Sequence, residues 1–183
     1  VMCVISGVQK RATFSDEDNQ LMSGALSECN RMKNLIKDLQ DFNRPTSGKM
    51  SSLDIHIAIN SILLLGKKDY KIKEISIEKH FAPNMQKITA IPDQIKQVLV
   101  NLINNAVDSC EGGGIIKIST DFHDNKAVIR IQDSGKGINP EDKAHIFEPF
   151  YTTKSEVKGT GLGLSVTYGI IKRHNGTIDV EST

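Results

Sequence analysis

The chain has no tryptophan, only 5% aromatic residues and five prolines in 183 residues. Its core must therefore be aliphatic, built from Ile, Leu and Val. A charge excess is also missing. Twenty-three basic residues face 22 acidic ones, for a net charge of +1. That excludes a nucleic-acid binder acting through bulk positive charge and a charged disordered tail. No apolar run approaches the ~18–20 residues that a membrane span requires, and there is no signal peptide. Three cysteines, Cys3, Cys29 and Cys110, are scattered and form no CxxC pair. They read as reduced intracellular thiols rather than disulfides or zinc ligands. The five histidines (56, 80, 123, 145 and 174) have no metal-ligand spacing. GxxxxGK[ST], HExxH and GxSxG are all absent. The chain opens on valine, which reads as a piece excised from a longer protein.

What is present falls into two textures. Residues 1–44 read as helical throughout. A short helix over 1–12 is followed by Ser15 and Asp18, spaced like a capping box. Leu21, Ala25, Cys29, Met32, Ile36 and Leu39 then recur at helical spacing until Pro45 stops the pattern. A narrow stripe on so long a helix favours a bundle or dimerisation stalk. Arg44 to Gly48 is a linker. Beyond it the pattern predicts a helix over 54–65, a strand over 71–81 with Gln86–Ala90 as its short partner, and an amphipathic helix over Ile95–Cys110. Two strands, Ile115–Phe122 and Ala127–Gln132, would turn at Asp124-Asn125. A helix over 140–146, a polar loop to Gly159, a helix from Leu162 to His174 and a strand from Thr177 complete the pattern. Asn175-Gly176-Thr177 reads as a turn. The predicted class is α+β, with a mainly antiparallel sheet covered by helices.

Four stretches carry chemistry. In the helix near residue 100, Asn101, Asn105 and Asp108 stand at i, i+4 and i+7 and share a face, with Leu99, Leu102, Ile103 and Ala106 opposite. Asparagine is a poor helix former, so two on one face suggest oxygen donors for a hydrated Mg²⁺ and phosphates. Asp133-Ser134-Gly135-Lys136-Gly137 follows a strand. Its glycines let the backbone approach a flat ligand, and its carboxylate can accept from an exocyclic amine. In Phe147-Glu148-Pro149-Phe150-Tyr151-Thr152-Thr153-Lys154, the aromatics would anchor a loop, and the hydroxyls and lysine would meet phosphate oxygens. Gly159-Thr160-Gly161-Leu162-Gly163-Leu164 leads into a helix, where backbone N–H groups favour anions. It follows a loop rather than a strand, so a dinucleotide-binding Rossmann turn is excluded.

Each motif is weak alone, but together, in this order and spacing, they resemble the N, G1, F and G2 boxes of the sensor histidine kinases of two-component systems. The F box is similar to that of the nitrogen-regulation subgroup. The resemblance implies a partial dimerisation and phosphotransfer hairpin at 1–44, then an ATP-binding α/β sandwich of the Bergerat (GHKL) type at 45–183. It implies that Asn105 coordinates Mg²⁺, supported by Asn101 one turn earlier, and that Asp108 borders the nucleotide. Asp133 would bond the adenine amine in a pocket shaped by Gly135 and Gly137. Lys154 would reach the phosphates. Residues 139–160 would be a mobile ATP lid, and Gly159, Thr160, Gly161, Leu162, Gly163 and Leu164 would line the phosphate end of the site.

ATP and Mg²⁺ are the implied ligands. A response-regulator receiver domain and a second copy of the chain are the implied partners, with no role for nucleic acid. The implied setting is the cytoplasm, whether or not the parent chain is anchored in the inner membrane. No histidine here has the acidic neighbour and Asn-x-Pro that mark the family's phosphoacceptor, which the family pattern places just upstream of Val1. The family's sheet usually has one further strand, with a Gly-Thr near the adenine, beyond the point where this chain stops. A chaperone-type or mismatch-repair-type ATPase of the same fold is the alternative. Position 101 argues against it, because those ATPases carry a glutamate base there and an amide cannot take a proton from water.

Overall fold

A computed structural model describes residues 14–43, 48–154 and 159–182. The expected helix over 1–12 and Cys3 lie outside the described residues. The chain separates into two compact units. One holds the first long helix and segment 148–162, and the other holds 48–147 with 163–182.

In the first unit, helix α1 runs Asp16–Asn43. The Ser15 hydroxyl accepts from the Asp18 backbone N–H at 3.1 Å and donates to the Asp18 carboxylate at 2.7 Å. The cap read from the spacing is thus formed. Three acidic residues in the first turn complement the helix dipole. Along the stripe, Leu21, Met32 and Ile36 are exposed.

The second unit carries the remaining elements. They are β1 (Ser51–Leu53), α2 (Ile55–Ile72), β2 (Ile75–His80), β3 (Ile88–Ala90), α3 (Pro92–Ser109), β4 (Gly114–His123), β5 (Lys126–Asp133) and α4 (Gly163–Arg173). A 3₁₀ turn covers Asp142–Ala144. The strands form a sheet ordered β2-β4-β5 and a separate antiparallel pair β1-β3. β2 and β4 run parallel, joined through α3, and β4 and β5 are antiparallel. A parallel pair requires a crossover of that kind, since a tight turn cannot join its strands.

Several expectations change. The segment 86–90 pairs with β1, a three-residue strand the pattern did not reveal, and not with β2. α2 continues to Ile72 because nothing between Gly66 and Lys73 breaks it, so Ile72 belongs to a helix and the strand starts at Ile75. The helix expected over 140–146 shrinks to the 3₁₀ turn. No strand forms among the described residues after Thr177. The β4–β5 turn is as expected. Asp124 and Asn125 both adopt positive φ (51° and 58°), as a two-residue hairpin loop demands.

Ile55 and Ile59 of α2, Leu99 and Ile103 of α3, and Ile116 and Ile118 of β4 are the fully buried centre. Each such side chain contributes ~1.5–3 kcal/mol by leaving water. A second cluster packs Val98 of α3 on Val166 and Ile170 of α4, with Leu102 half-buried beside them. α3 therefore buries one side on the sheet layer and another on α4. Only a narrow strip is left for polar residues.

Candidate functional site

That strip carries Asn101 and Asn105, both half-buried, with exposed Asn104 and Asp108 at its edge. The Asn101 amide nitrogen donates to the Gly163 carbonyl at 3.0 Å and reaches the Thr167 hydroxyl at 3.4 Å. A carbonyl can only accept, so the amide must present its nitrogen there. Its oxygen is then turned the other way. Asp108 forms an ion pair with Lys73, which caps the C-terminal end of α2, at 3.1 Å. The pair is exposed and worth no more than about 1 kcal/mol. It rims a cavity of about 210 Å³ also lined by Gly66, Asp69, Tyr70 and Asn104. Burial, with a smaller push from Asp69, raises the Tyr70 phenol above its ordinary pKa of 10.0.

Asp133 ends β5. One carboxylate oxygen, Oδ1, accepts from the Ser109 hydroxyl at 2.6 Å and from the Gly135 N–H at 2.9 Å. Gly135 is glycine for a steric reason. A Cβ there would overlap the Ser109 side chain and stand 2.6 Å from the Ser109 carbonyl carbon. Gly137 is glycine for a conformational one, with φ of 72°. The Lys136 N–H donates to the Ser109 carbonyl at 3.3 Å. The Ser134 hydroxyl accepts from the Ile115 N–H at 2.9 Å. The turn is thereby fastened to the end of α3 and the start of β4. The chain end straps its far side, where Ser182 accepts from the Ile138 N–H at 2.7 Å and its carbonyl accepts from Lys143 Nζ at 2.9 Å.

Phe147 packs on Tyr168 of α4 at 5.4 Å between ring centroids, so one aromatic of the third motif does anchor. Phe150, in the other unit, does not, because its side chain is 65% exposed. Its backbone is held instead. The Phe150 N–H donates to the Gly161 carbonyl at 3.0 Å. Gly161 has φ of 71°, and a Cβ there would stand 2.6 Å from Phe150 Cα. Within the same segment, the Thr152 hydroxyl accepts from the Lys154 N–H at 3.1 Å, and the Thr160 hydroxyl accepts from the Leu162 N–H at 3.5 Å. A Cβ on Gly159 would stand 2.6 Å from Thr152 Oγ1. Leu162 is buried, and the described part of the expected lid excludes 155–158.

α4 opens at Gly163, followed by Leu164. It closes on Asn175 at φ of 55°, with the Gly176 N–H donating to Ile171 O at 2.9 Å and the Asn175 N–H to Lys172 O at 3.0 Å. These two bonds make a Schellman cap. His174 is also structural. Its Nε2 accepts from the Ile91 N–H at 3.1 Å, and its Nδ1 faces the Ile170 carbonyl at 2.9 Å. An N–H on one side and a carbonyl on the other require the neutral Nδ1–H tautomer.

The second unit thus brings together Asn101 with Gly163, and Asp133 with Gly135. Sequence reasoning missed the part played by Ser109. A hydroxyl in the last turn of the asparagine-bearing helix was the available signal, and only the packing of Gly135 against it shows its use.

The family described as histidine kinase-, DNA gyrase B- and HSP90-like ATPases matches residues 90–183. The sensor histidine kinase ZraS of Escherichia coli O157:H7 is 34% identical over 173 residues, covering 94% of this chain and 37% of the relative. The chain therefore spans about a third of the length of such relatives. The catalytic domain of the histidine kinase ThkA superposes with a TM-score of 0.63 at 31% identity, over 68% of this chain and 81% of that one. ThkA in complex with the response regulator TrrA shares the fold at a TM-score of 0.69 and 24% identity, over 94% and 51% of the two chains. With its four motifs in this order and this α+β frame, the chain belongs to the histidine kinase-, gyrase B- and HSP90-like ATPases, on the sensor histidine kinase branch.

Proposed function

We propose that this chain is the catalytic core of a two-component sensor, with part of a dimerisation hairpin at 1–44 and the ATP-binding domain at 45–183. It transfers the γ-phosphate of ATP to a histidine that is none of its own five, for onward transfer to a receiver-domain aspartate. The observation that carries this over an ATPase reading is Asn101. Its side chain is an amide, and its nitrogen is committed to the Gly163 carbonyl. A group so used cannot act as a base toward water, so the γ-phosphate is kept for a protein nucleophile placed in line with it.

In the second unit, Asn105 supplies an amide oxygen to Mg²⁺, and Asn101 and Asp108 flank it on the same face. Among the described residues no cluster of three His, Cys, Asp or Glu side chains forms a metal cage. A single amide oxygen suits an ion that arrives on phosphates and keeps its waters. When bound, that ion neutralises charge on the phosphates. Asp133 accepts from the adenine amine, with Gly135 and Gly137 shaping the pocket floor, and Gly163 and Leu164 offer N–H groups at the start of α4. The motifs support phosphate-facing roles for Lys154, Gly159, Thr160, Gly161 and Leu162. The uncovered stripe of α1, with Leu21, Met32 and Ile36 exposed, supports self-association through that helix. Among the described residues no helix is long and apolar enough to cross a membrane, and the cytoplasm is the proposed setting.

The test uses γ-labelled ATP. The chain alone should bind ATP with Mg²⁺ and gain no acid-labile, base-stable label. Adding a separate histidine-bearing hairpin of the same family should restore labelling, on the hairpin. Strong labelling of any of the five histidines, or rapid phosphate release with no labelled protein, would overturn the reading.

A further inference from the structure

A base-reading carboxylate must be aimed as well as present. The terminal torsion of an aspartate is broad and nearly two-fold, so a lone Asp133 at a strand end would sample many orientations. Two donors arriving from different elements remove that freedom. The Gly135 N–H comes from the turn and the Ser109 hydroxyl from the end of α3, and both go to Oδ1. The other oxygen remains to meet a ligand.

The hydroxyl has one proton and three acceptors within reach, Asp133 Oδ1 at 2.6 Å, the Ala106 carbonyl at 2.8 Å and Cys110 Sγ at 4.0 Å. The shortest contact, to a charged acceptor, takes it. Ser109 is itself packed and bonded from the turn. Gly135 packs so close that a Cβ there would overlap it, and Lys136 bonds its carbonyl.

We propose that Ser109 is a specificity-determining positioning residue. Its hydroxyl locks Asp133 so that the free carboxylate oxygen is presented to the exocyclic amine of a 6-aminopurine nucleotide. This rests on the assignment of Asp133 as the base reader.

The experiment is calorimetric titration of the chain with ATP and with the triphosphate of unsubstituted purine, which lacks the amine, both with Mg²⁺. Four proteins are compared: wild type, Ser109→Ala, Asp133→Asn and the double variant. Ser109→Ala keeps the Cβ that packs on Gly135 and deletes only the donor. It should weaken ATP by about 5- to 10-fold, the scale of one ordinary hydrogen bond. The purine analogue should bind unchanged. In the Asp133→Asn background the serine substitution should add nothing.

Equal losses for both ligands would reduce Ser109 to a merely structural role and overturn the proposal. So would an undiminished effect without the carboxylate, or an unchanged ATP-to-analogue ratio. If wild type binds the two ligands equally, the assignment of Asp133 fails first and the proposal falls with it. Ser109→Cys, of similar size and with a weak donor, gives the same readout should the alanine variant fold poorly.

Discussion

Replacing Asn101 by aspartate changes almost no volume but reverses one interaction. The wild-type amide donates to the Gly163 carbonyl at 3.0 Å, whereas an aspartate oxygen cannot. Asn101→Ala provides the reference. It loses the neutral hydrogen bond to Gly163, worth ~1 kcal/mol, and the weaker 3.4 Å contact to the Thr167 hydroxyl, and regains up to ~0.7 kcal/mol of helix propensity. Its net cost should be under ~1 kcal/mol. The Gly163 carbonyl is still used by the first turn of α4, so no orphaned acceptor is created.

Asn101→Asp loses the same bond without the propensity gain, and it sets a half-buried negative charge against a carbonyl oxygen. Leaving a partly buried charge without its donor costs ~1–3 kcal/mol. Aspartate should therefore be the worse substitution of the two, although it is the closer in shape. The order should also depend on pH. The fold disfavours the ionised carboxylate, so the folded-state pKa lies above the unfolded value of ~3.9. The unfolded state then binds fewer protons, and stability falls as pH rises from about 4 toward 7. Protonated, the carboxyl regains a donor for Gly163, so the deficit should shrink at low pH. Urea unfolding of wild type and both variants at pH 7 and near pH 4.5 measures this. Aspartate matching wild type at pH 7, or a pH-independent deficit, would refute the assigned contact.

Three further outcomes are expected. Asn105→Ala lies on the polar strip, opens no core cavity and favours helix, so thermal stability should hold while Mg²⁺-dependent ATP affinity drops at least about tenfold by calorimetry. Gly135→Ala forces a Cβ into Ser109, and the overpacking should cost ~1–3 kcal/mol in denaturant unfolding and weaken ATP as well. Because burial raises the Tyr70 phenol above its ordinary 10.0, the unfolded chain releases that proton first as the solution is made alkaline. The stability this tyrosine contributes is intact below pH 10 and is lost above it. Ultraviolet titration of wild type against Tyr70→Phe should show a late-ionising tyrosine, and a titration unchanged by the substitution would contradict the burial.

Much of this architecture was legible because the relevant signals are local. The Ser15 cap, the α3 periodicity and the Asp124-Asn125 turn each depend on a few neighbouring residues, and each forms. Pairing partners were not legible. β1 is three residues long, two of them serine, and nothing local sets it opposite 88–90. Ile72 fits both a helical and an alternating pattern, and the unbroken run of α2 settles it as helix. At the site, the chemical types were readable from composition and order. The bonds that organise them were not. Ser109 meets Asp133 across 24 residues and Asn101 meets Gly163 across 62, and such distances are spanned only by the topology. Phe150 shows the converse. Its aromatic type suggested an anchor, but the close approach of Gly161 holds its backbone and leaves the ring outside.

The two fastenings of α4 have a mechanical consequence. Near its first residue the helix is held by Asn101, and just past its last by His174 on Ile91, which immediately precedes α3. Both anchors therefore belong to one neighbouring segment. A rod pinned to the same support at both ends can neither slide along it nor swing away from it. α3 and α4 should exchange their amide hydrogens as a single cooperative block. Any rearrangement that accompanies nucleotide capture should then be taken up ahead of Gly163, and α4 should stand as the fixed post from which it starts.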